Sequence, residues 1–534
     1  MTLVLEPSAE VHNPDGNRAA TARQPGQVPR PEAGAPQRMQ PRTMRDSAVC
    51  DRIRHGFCTE SDGELLHLRL YQAMRKAILG GHLPAGTLLP GTRVLARELE
   101  LARNTVARAY ERLLTEGYLE SGSAGANCYV SDSPSRLRPR PVAKAPAASV
   151  AGISARGREL MRDAASGPIQ RGAFMPGIPD TEHFPFEAWR RLLAKSYRRE
   201  RGDLLQYAQS SYGPLKRALA QHLNITRMMH CSPHQIVVVN GTHQALDLCA
   251  RLLADPGDGA WIENPGYWGG RNVLRAAGLA VRPIAVDRDG IAPTPQDWAQ
   301  PPRLILVSPS SQYPTGAVLS LERRLQLLAM AEASASWILE DDYDNELRYQ
   351  GSPIASMFGL TQSERVIYFG TFSKVMFTGL RLSYIVVPES LVDAFAAGNA
   401  ELYRGGRLAE QAALAEFIEM GHFAAHIRRM RAIYTERREA LRGVLTDRLG
   451  DAVEVSGHQA GLQLLCRLGA DVDDRALAAR ALQAGIVTRP LSLYACSGTA
   501  VGAGLNLGYA AVPVDTVVPT AHRLADFIER ELAG

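Results

Sequence analysis

The sequence is poor in the features that mark exported or membrane-spanning proteins. No stretch of its 534 residues approaches the roughly eighteen uninterrupted apolar residues that a membrane-crossing helix requires. The first residues, MTLVLEPSAEVHNPDG, lack the basic segment and the long apolar core of an export signal. We therefore expect a cytoplasmic protein with no membrane partner.

Paired cysteines and metal-binding motifs are missing as well. The seven cysteines are scattered, without a Cys-x-x-Cys pair: Cys50, Cys58, Cys128, Cys231, Cys249, Cys466 and Cys496. This pattern indicates free thiols rather than a disulfide framework or a zinc site. The acidic run EDDYD is no calcium loop, because the sixth position counted from Asp342 is Leu347, where such a loop requires glycine. We expect no metal.

Charge is modest overall but unevenly distributed. The net charge of +5 does not by itself indicate a nucleic-acid partner. Residues 134–171 are rich in Pro, Ala and Ser and carry 8 basic groups against 2 acidic ones, which predicts a flexible basic linker over residues 133–171 with a helical turn or two near Arg156 to Ala165. Residues 1–62 are rich in Pro, Gly and Arg without periodicity, which predicts a disordered N-terminal extension.

Residues 63–132 contain three short helical patterns followed by two short strands. The helices are predicted in LHLRLYQAMRKAILGG, in RVLARELE with Thr92 as N-cap, and in TVARAYERLLTEGYL with Asn104 as N-cap. YLES and CYVSD read as strands around the loop GSAGAN, the wing of a winged helix-turn-helix. The third helix begins with Arg103, Thr105 and Arg108, side chains suited to a DNA major groove. A small dimerisation or capping domain is the alternative.

Beyond residue 172 the sequence alternates between strand-like and helical segments. QIVVV precedes HQALDLCARLLA, GAWIE precedes GGRNVLRAAG, and RLILVS precedes LERRLQLLAMAEAS, with SWILE and RVIYF further on. Such alternation predicts an α/β domain with a large, doubly wound, mostly parallel sheet over about residues 205–400. A smaller α/β lobe is predicted to follow it, including a long helix from His422 to Leu449.

One lysine and two carboxylates are predicted to meet at the edge of this sheet. Lys374 follows the strand RVIYF, and Asp341 and Asp342 follow the strand SWIL. The carboxyl ends of neighbouring strands face one crevice, so these side chains can converge on a ligand. A lysine that forms a Schiff base, with a buried Asp that keeps a pyridine nitrogen protonated, is the chemistry of pyridoxal phosphate. A solvated acidic turn is the alternative for EDDYD.

Two further segments fit the same ligand. The turn NGTHQ leads from a strand into a helix, whose N-terminal amides can hold a phosphate; an ordinary structural turn is the alternative. Near Lys374, Thr371, Ser373 and Arg381 add two hydroxyls and a guanidinium, which suit a phosphate. ENPGYWGG places Tyr267 or Trp268 at a strand end, where an aromatic ring can stack on a pyridine or simply pack in the core.

The N-terminal module resembles the winged-helix domain of the GntR regulators along nearly its whole length. The proline-bracketed loop, the Leu-Ala-Arg-Glu-Leu helix and the Arg-Asn-Thr-Val helix fall at the family's spacing. The resemblance implies that double-stranded operator DNA is contacted by Arg93, Arg103, Asn104, Thr105 and Arg108. In the wing, Ala124 and Ala126 to Cys128 replace the more usual Gly-Ser-Gly-Thr-Phe run.

The rest of the chain resembles fold-type I aminotransferases, and the whole architecture resembles the MocR subfamily of GntR regulators. The resemblance implies that Lys374 forms the Schiff base with pyridoxal 5'-phosphate, Asp341 pairs with the pyridine nitrogen and Tyr343 bonds the ring hydroxyl. It further implies a stacking Tyr267, a Tyr207 that reaches a partner subunit's cofactor, and a phosphate site made by Gly241, Thr242, Thr371, Ser373 and Arg381. A homodimer is implied.

Two positions depart from the aminotransferase pattern. Tyr313 stands in Tyr-Pro-Thr-Gly where aminotransferases have Asn-Pro-Thr-Gly, so the ring-hydroxyl contact of that Asn is missing. Asn506 stands where they place the arginine that clamps a substrate carboxylate, and an amide cannot replace a bidentate guanidinium. The candidates for a substitute are Arg271, Arg404, Arg407 and Arg489.

The favoured hypothesis is a transcriptional regulator whose winged helix binds operator DNA and whose aminotransferase-like body senses pyridoxal phosphate or an amine or amino-acid effector. The first alternative is an active aminotransferase with an attached helix-turn-helix domain, which needs a carboxylate clamp. The second is a cofactor-binding scaffold whose DNA binding is independent of sequence and steeply salt-dependent.

Overall fold

The structure, a computed structural model, describes most of the chain from Asp46 onward. The described residues are 46–58, 65–122, 127–132, 152–162, 172–208, 210–349, 354–360, 364–457, 459–496, 499 and 501–533. The chain divides into two compact units, residues 1–149 and 150–534. Within these described ranges, no helix is both long enough and apolar enough to cross a membrane.

The first unit is a small helical domain with a two-stranded sheet. Its elements are α1 Asp46–Cys58, α2 Leu66–Leu79, α3 Thr92–Glu98, α4 Arg103–Thr115, β1 Leu119–Ser121 and β2 Cys128–Val130. The strands pair antiparallel, with Leu119 opposite Val130. A single apolar core joins the helices and includes Leu70, Leu95, Val106 and Leu113. The three predicted helices and the wing strands are therefore present, whereas residues 123–126 of the predicted wing loop lie outside the described residues.

The prediction of disorder over residues 1–62 is wrong for its last part. Residues 46–58 form α1, which packs on α2, and its Val49 and Ile53 are fully buried in the core of the first unit. This helix was not predicted because it follows a long Pro- and Gly-rich segment and has only a short apolar pattern of its own. Residues 1–45 lie outside the described residues.

Both predicted helix caps are displaced by one or two positions. Gly91 is the N-cap of α3 and Ala102 that of α4, so Thr92 and Asn104 lie inside the first turn of their helices. Neither N-cap residue makes a side-chain capping hydrogen bond. Because Asn104 is the second residue of α4 and not its N-cap, its side chain does not cap the helix and is exposed.

The second unit is built around an eight-stranded sheet of order β3-β10-β9-β8-β7-β4-β5-β6. Its strands are β3 Ile236–Val239, β4 Gly259–Asn264, β5 Ala280–Asp287, β6 Gly290–Ile291, β7 Leu304–Val307, β8 Trp337–Asp341, β9 Val366–Thr371 and β10 Ser383–Val386. Strands β5, β4, β7, β8 and β9 run parallel, whereas β10 is antiparallel to both of its neighbours. The predicted α/β class with a mostly parallel sheet is confirmed.

Helices cover both faces of this sheet, which explains why its central strands are apolar at nearly every position. β7 and the first four residues of β9 are buried throughout. The helices up to this point of the chain are α5 Ala155–Arg162, α6 Phe186–Ser196, α7 Gly213–Arg227, α8 Thr242–Leu253, α9 Trp268–Ala276, α10 Pro295–Trp298, α11 Leu321–Ala333, α12 Met357–Leu360 and α13 Val392–Tyr403. Of the predicted linker, residues 155–162 are helical, and residues 133–151 and 163–171 lie outside the described residues.

The C-terminal part of the second unit adds a smaller antiparallel sheet of order β11-β12-β14-β13. Its elements are α14 Leu408–Glu419, α15 His422–Leu449, β11 Glu454–Ser456, β12 Gln463–Leu468, α16 Asp474–Gln483, β13 Arg489–Pro490, β14 Ala503–Gly508 and α17 Val514–Ala533. The long helix α15 has the bounds that the sequence predicted. One apolar core connects this lobe to the large sheet, because Tyr368 and Val386 of the large sheet belong to the same cluster as Leu464 and Leu505.

Candidate functional site

A cavity of about 340 Å³ opens at the carboxyl ends of the parallel strands in the second unit. Strand ends and the turns after them contribute most of its walls, and the smaller lobe contributes Gln463 and Arg489. Eight predicted cofactor residues line it together: Gly241, Thr242, Tyr267, Asp341, Tyr343, Thr371, Ser373 and Lys374. Arg381 lines it as well. Residues far apart in the chain thus form one site.

Lys374 lies in the floor of the cavity, shortly after the end of β9. Its Nζ donates to the backbone oxygen of Gly177 at 2.9 Å. Gly177 has φ +75°, and a Cβ at this position would lie 3.0 Å from the lysine nitrogen, so glycine leaves the amine accessible. Burial lowers the pKa of Lys374, although the carboxylates Asp341 and Asp344 oppose this shift. A buried amine with a lowered pKa is a better nucleophile at neutral pH.

Asp341 ends β8 and is the carboxylate that faces this lysine. Burial raises its pKa to about 7, the charge of Asp342 adds to this shift, and Lys374 opposes it. Its Oδ1 has no hydrogen-bond partner among the described residues. A buried acceptor of this kind is costly unless a ligand donates to it. The arrangement suits a protonated ring nitrogen.

The expectation that Asp342 converges on the same ligand is wrong. Side chains of successive residues point to opposite sides of an extended backbone, so Asp342 faces away from the cavity. There its Oδ2 lies 2.7 Å from Nη2 of Arg227 and accepts from the hydroxyl of Tyr368 at 2.6 Å. Asp342 is therefore part of a buried ion pair beneath the sheet edge, and acts on the site only through its charge.

One end of the cavity has the character of an anion site. Gly241, with φ +102°, is the N-cap of α8, and Thr242 is the first residue of that helix, so the helix amides open into the cavity. Arg381 donates to the backbone oxygen of Asn240 at 3.1 Å, and its guanidinium lies against Gly241. The hydroxyl of Thr371 accepts from the amide of Ser373 at 3.2 Å. Amides, hydroxyls and a guanidinium at one point suit a phosphate.

Part of the cavity lining is aromatic. Tyr267 precedes α9, and its hydroxyl lies 2.7 Å from Nε2 of His243. A Cβ on Gly269 would lie 2.5 Å from the Tyr267 ring and 2.6 Å from the His243 nitrogen, so only glycine permits this placement of the ring. Trp268 also lines the cavity, beside Tyr313. A flat ring held in place by a hydrogen bond suits stacking on a pyridine.

The two positions that depart from the aminotransferase pattern meet through one tyrosine. The hydroxyls of Tyr313 and Tyr494 lie 3.1 Å apart, and Asn506 Nδ2 donates to Tyr494 at 3.1 Å. Tyr313 and Tyr343 pack edge to face, with ring centroids 6.0 Å apart. Tyr313 therefore fills space beside Tyr343 that the smaller side chain of an asparagine would leave open.

The four arginines considered as substitutes for the carboxylate clamp differ in whether they line the cavity. Arg489 lines the cavity. Arg271 is buried and donates to the backbone oxygen of Ala495 at 3.1 Å, and Arg407 donates to that of Arg381 at 3.2 Å. Arg271, Arg404 and Arg407 do not belong to the described residues that line the cavity.

Tyr207, the residue predicted to reach a partner's cofactor, lies outside this cavity. It is 90% exposed in the single chain. Its approach to a partner subunit's cofactor stays a prediction.

The residues predicted to contact DNA cluster on α3 and α4 of the first unit. Arg93, Arg103, Asn104 and Arg108 are exposed, and Thr105 is half-buried. The buried face of α4 includes Val106, Ala109, Tyr110 and Leu113, which leaves the opposite face free. The arrangement has the form of a recognition helix, and the individual contacts stay predictions.

Sequence reasoning missed several parts of the cavity. His243 was available as a signal, since it directly follows Gly241 and Thr242 in the predicted phosphate turn. Met175 to Ile178 and Gln463 gave no signal, because they come from an irregular segment and from the smaller sheet. Their placement depends on how the two sheets pack.

Comparison with known protein families assigns both modules. Residues 66–126 match the gntR family of bacterial regulatory proteins. Residues 177–517 match the class I and II aminotransferases. The two matches fall in the two compact units.

Among individual proteins, the chain is similar to transcriptional regulators over most of its length. It is 42% identical to the probable rhizopine catabolism regulatory protein MocR of Rhizobium meliloti over 431 residues, which cover 80% of this chain and 86% of that protein. It is 29% identical to the pyridoxine biosynthesis regulator PdxR of Corynebacterium glutamicum over 455 residues, which cover 84% of this chain and 93% of that protein.

Solved aminotransferases share the fold of the second unit. The α-aminoadipate aminotransferase LysN of Thermus thermophilus, complexed with N-(5'-phosphopyridoxyl)-L-leucine, has a TM-score of 0.61 and 25% identity, and the match covers 71% of this chain and 96% of that one. The multiple substrate aminotransferase of Thermococcus profundus has a TM-score of 0.63 and 24% identity, with coverage of 71% and 98%.

Proposed function

The chain belongs to the MocR subfamily of GntR transcriptional regulators, and from this membership we propose that its second unit binds pyridoxal 5'-phosphate at Lys374 to control DNA binding by the first. The observation that carries the proposal is the facing pair Lys374 and Asp341 within one cavity that also has an anion site. The aminotransferase class to which residues 177–517 belong is pyridoxal phosphate-dependent. When bound, the cofactor supplies an aldehyde that captures amines and a ring that withdraws electrons.

Each predicted residue has a part in holding this cofactor. Lys374 would hold the aldehyde end of the cofactor through its amine, and Asp341 would accept from the protonated pyridine nitrogen. Gly241, Thr242, Thr371, Ser373 and Arg381 would hold the phosphate, Tyr267 would stack on the ring and Tyr343 would donate to the ring hydroxyl. The otherwise unpartnered Oδ1 of Asp341 supports the fit, because a bound ring N–H gives it a donor.

DNA binding is assigned to the first unit. We propose that α4 enters the major groove of double-stranded operator DNA, where Arg103, Asn104, Thr105 and Arg108 contact bases and phosphates and Arg93 contacts the backbone. The exposure of Arg93, Arg103, Asn104 and Arg108 supports this assignment. A protein that acts on operator DNA works in the cytoplasm.

Regulation follows from linkage between the two units. We propose a homodimer whose two winged helices read paired half-sites, with Tyr207 reaching the partner subunit's cofactor. A cofactor or amine effector that binds one arrangement of the dimer more tightly shifts the population toward that arrangement, and operator affinity changes by the same coupling free energy.

Titration of operator DNA tests this function. The DNA is taken from the region upstream of the gene itself, and binding is measured by fluorescence anisotropy with cofactor-free and cofactor-loaded protein. A scrambled duplex of equal length is the control. We expect sequence-specific binding whose Kd changes at least about fivefold with the cofactor, the lower range of allosteric coupling. Equal affinity in both states contradicts sensing, and equal affinity for both duplexes contradicts operator recognition.

Active transamination is the competing function, favoured by the same Lys374 and Asp341 pair. We propose ligand binding without sustained turnover, since the chain is similar to regulators over four fifths of its length. A steady-state assay with a panel of amino donors separates the two functions. Turnover above roughly one per second would identify an enzyme.

A further inference from the structure

A second cavity of the second unit lies apart from the proposed cofactor site. Its volume of about 540 Å³ is in the range of small-molecule sites, and none of its described lining residues belongs to the cavity around Lys374. The last turns of α7, the turn after β8 and the first turns of α15 form most of its wall. The proposed cofactor site leaves this cavity without a role.

Buried apolar side chains form one part of this wall. Phe423 and Ile427 are an i, i+4 pair on α15, so they lie on the same face of the helix, and both are buried. His222 of α7 packs edge to face against Phe423, with ring centroids 5.6 Å apart. Ala460 of the smaller lobe is buried and also lines the cavity. The apolar part of a ligand bound here is therefore removed from water.

Three arginines of the wall have no carboxylate partner. Arg348 is half-buried, and Arg428 and Arg431 are exposed. No ion pair within the described chain includes any of them, and Nε of Arg348 also has no hydrogen-bond partner there. Arg431 donates from Nε to the backbone oxygen of Glu346 at 2.6 Å, which holds its guanidinium beside the cavity. The wall therefore offers guanidinium groups that an anion can bind.

The two carboxyl groups of the wall balance little of this charge. Glu346 is already engaged, since its carboxylate lies 3.5 Å from Nε2 of His222. Asp344 is 1% exposed, and burial together with the charge of Asp342 raises its pKa to about 8, so most of it is uncharged at neutral pH. Its Oδ2 has no hydrogen-bond partner among the residues described, and when protonated it is a donor for an anion. Positive charge therefore exceeds negative charge around the cavity.

We propose that this cavity is a second ligand site, for a small molecule that combines an apolar body with a carboxylate, sulfonate or phosphate group. The apolar body packs on Phe423 and Ile427, and the anionic group binds the guanidinium groups of Arg348 and Arg431. The site goes beyond the proposed function, because it uses neither Lys374 nor the cofactor.

Two fluorescent probes with the same aromatic body test the site. The probe 8-anilinonaphthalene-1-sulfonate carries a sulfonate, and N-phenyl-1-naphthylamine lacks it. Each probe is titrated into the full-length protein, and its Kd is taken from the rise in probe fluorescence. The ratio of the two Kd values measures the contribution of the anionic group, because both probes bury the same apolar surface.

A pair of tryptophan variants assigns the binding to this cavity. Ala424→Trp places a large side chain in the wall, at an exposed position of α15. Ala425→Trp makes the same change at the next residue, which is also exposed but does not belong to the described lining. We expect the wild-type protein and Ala425→Trp to bind the sulfonate about 10- to 100-fold more tightly than the uncharged probe, the range for a hydrogen bond to a charged group. Ala424→Trp should bind the sulfonate at least about tenfold more weakly than Ala425→Trp, because its side chain fills the cavity.

Arginine variants identify the groups that bind the anion. In the double variant Arg348→Gln with Arg431→Gln the ratio of the two Kd values should fall to near one. Arg429→Gln changes an exposed arginine of α15 outside the described lining, and it keeps the full ratio.

Three results overturn the inference. The wild-type protein binds both probes equally, or Ala424→Trp and Ala425→Trp bind the sulfonate equally, which assigns the dye to other apolar surfaces. The third is a ratio that persists in the double variant, which removes the two arginines from their role. If the double variant does not fold by circular dichroism, the tryptophan pair still decides. None of these results depends on cofactor binding, so the second site stands or fails apart from the proposed function.

Discussion

Replacement of Asp341 by Asn is expected to stabilise the cofactor-free protein and to weaken cofactor binding. Burial raises the pKa of Asp341 from 3.8 to about 7. The folded state therefore binds this proton more tightly than the unfolded state, and stability is lost as the pH rises from about 4 to about 7. A shift of about three units corresponds to at most about 4 kcal/mol at pH 8. Asparagine cannot ionise and avoids this cost.

The size of the gain depends on pH in a defined way. At pH 5 the cost of keeping Asp341 buried corresponds to roughly one pH unit above its ordinary pKa, and at pH 8 to nearly the whole difference of about three. The stability advantage of Asp341→Asn therefore grows by up to about 3 kcal/mol between these two pH values. The pKa of about 7 already includes the attraction of Lys374, which opposes the rise, so it adds no further change to the gain. Urea unfolding of the cofactor-free protein at pH 5, 6, 7 and 8 measures it, with the half-exposed Asp289→Asn as control.

Cofactor binding should respond in the opposite direction. The carboxylate of Asp341 stabilises a protonated pyridine nitrogen, and an amide does so far less well, so we expect the Kd for pyridoxal phosphate to rise about tenfold or more. Fluorescence or absorption titration at pH 7.5 measures this change. A gain in stability that is equal at pH 5 and pH 8, or an unchanged Kd, refutes the reasoning.

Three further outcomes follow from other parts of the chain. Gly269→Ala should displace the Tyr267 ring and weaken cofactor binding, seen in the same titration, and an unchanged Kd would show that the ring does not stack. Removal of Arg103 or Arg108 by alanine should weaken operator binding and lower the slope of log affinity against log salt by about one for each phosphate that is no longer neutralised; an unchanged slope and affinity would show that neither arginine binds the DNA. Ile53→Ala should destabilise the first unit by about 2–4 kcal/mol in thermal unfolding, because the side chain is fully buried, whereas no change would contradict the packing of α1.

Much of the fold could be predicted from the sequence because its signals are local. The alternation of apolar strands and amphipathic helices predicted the parallel sheet, and α15 begins and ends where its pattern does. The antiparallel β10 was not anticipated, since RLSYIVV follows Lys374 without a helix and direction depends on which neighbour it joins. Helix α1 was missed because only its packing on α2 shows that its three buried apolar residues belong to a core.

The site was predictable to the extent that it depends on strand ends. Lys374, Asp341 and the turn at Gly241 follow strands directly, so topology alone brings them together. Asp342 was misplaced because a shift of one residue along an extended backbone reverses the direction of a side chain. Arg489 could be named as a candidate but not chosen, because only the register of β13 against β14 places it beside Asn506.

Chemical trapping of the lysine tests most directly whether pyridoxal phosphate occupies this cavity. Full-length protein is incubated with the cofactor, reduced with borohydride, digested and analysed by mass spectrometry, with Lys374→Ala treated in parallel. We predict a yellow protein before reduction and one dominant phosphopyridoxyl group, on the peptide that contains Lys374, that the variant lacks. A colourless protein, or labels spread over surface lysines at equal levels in both proteins, would contradict the assignment.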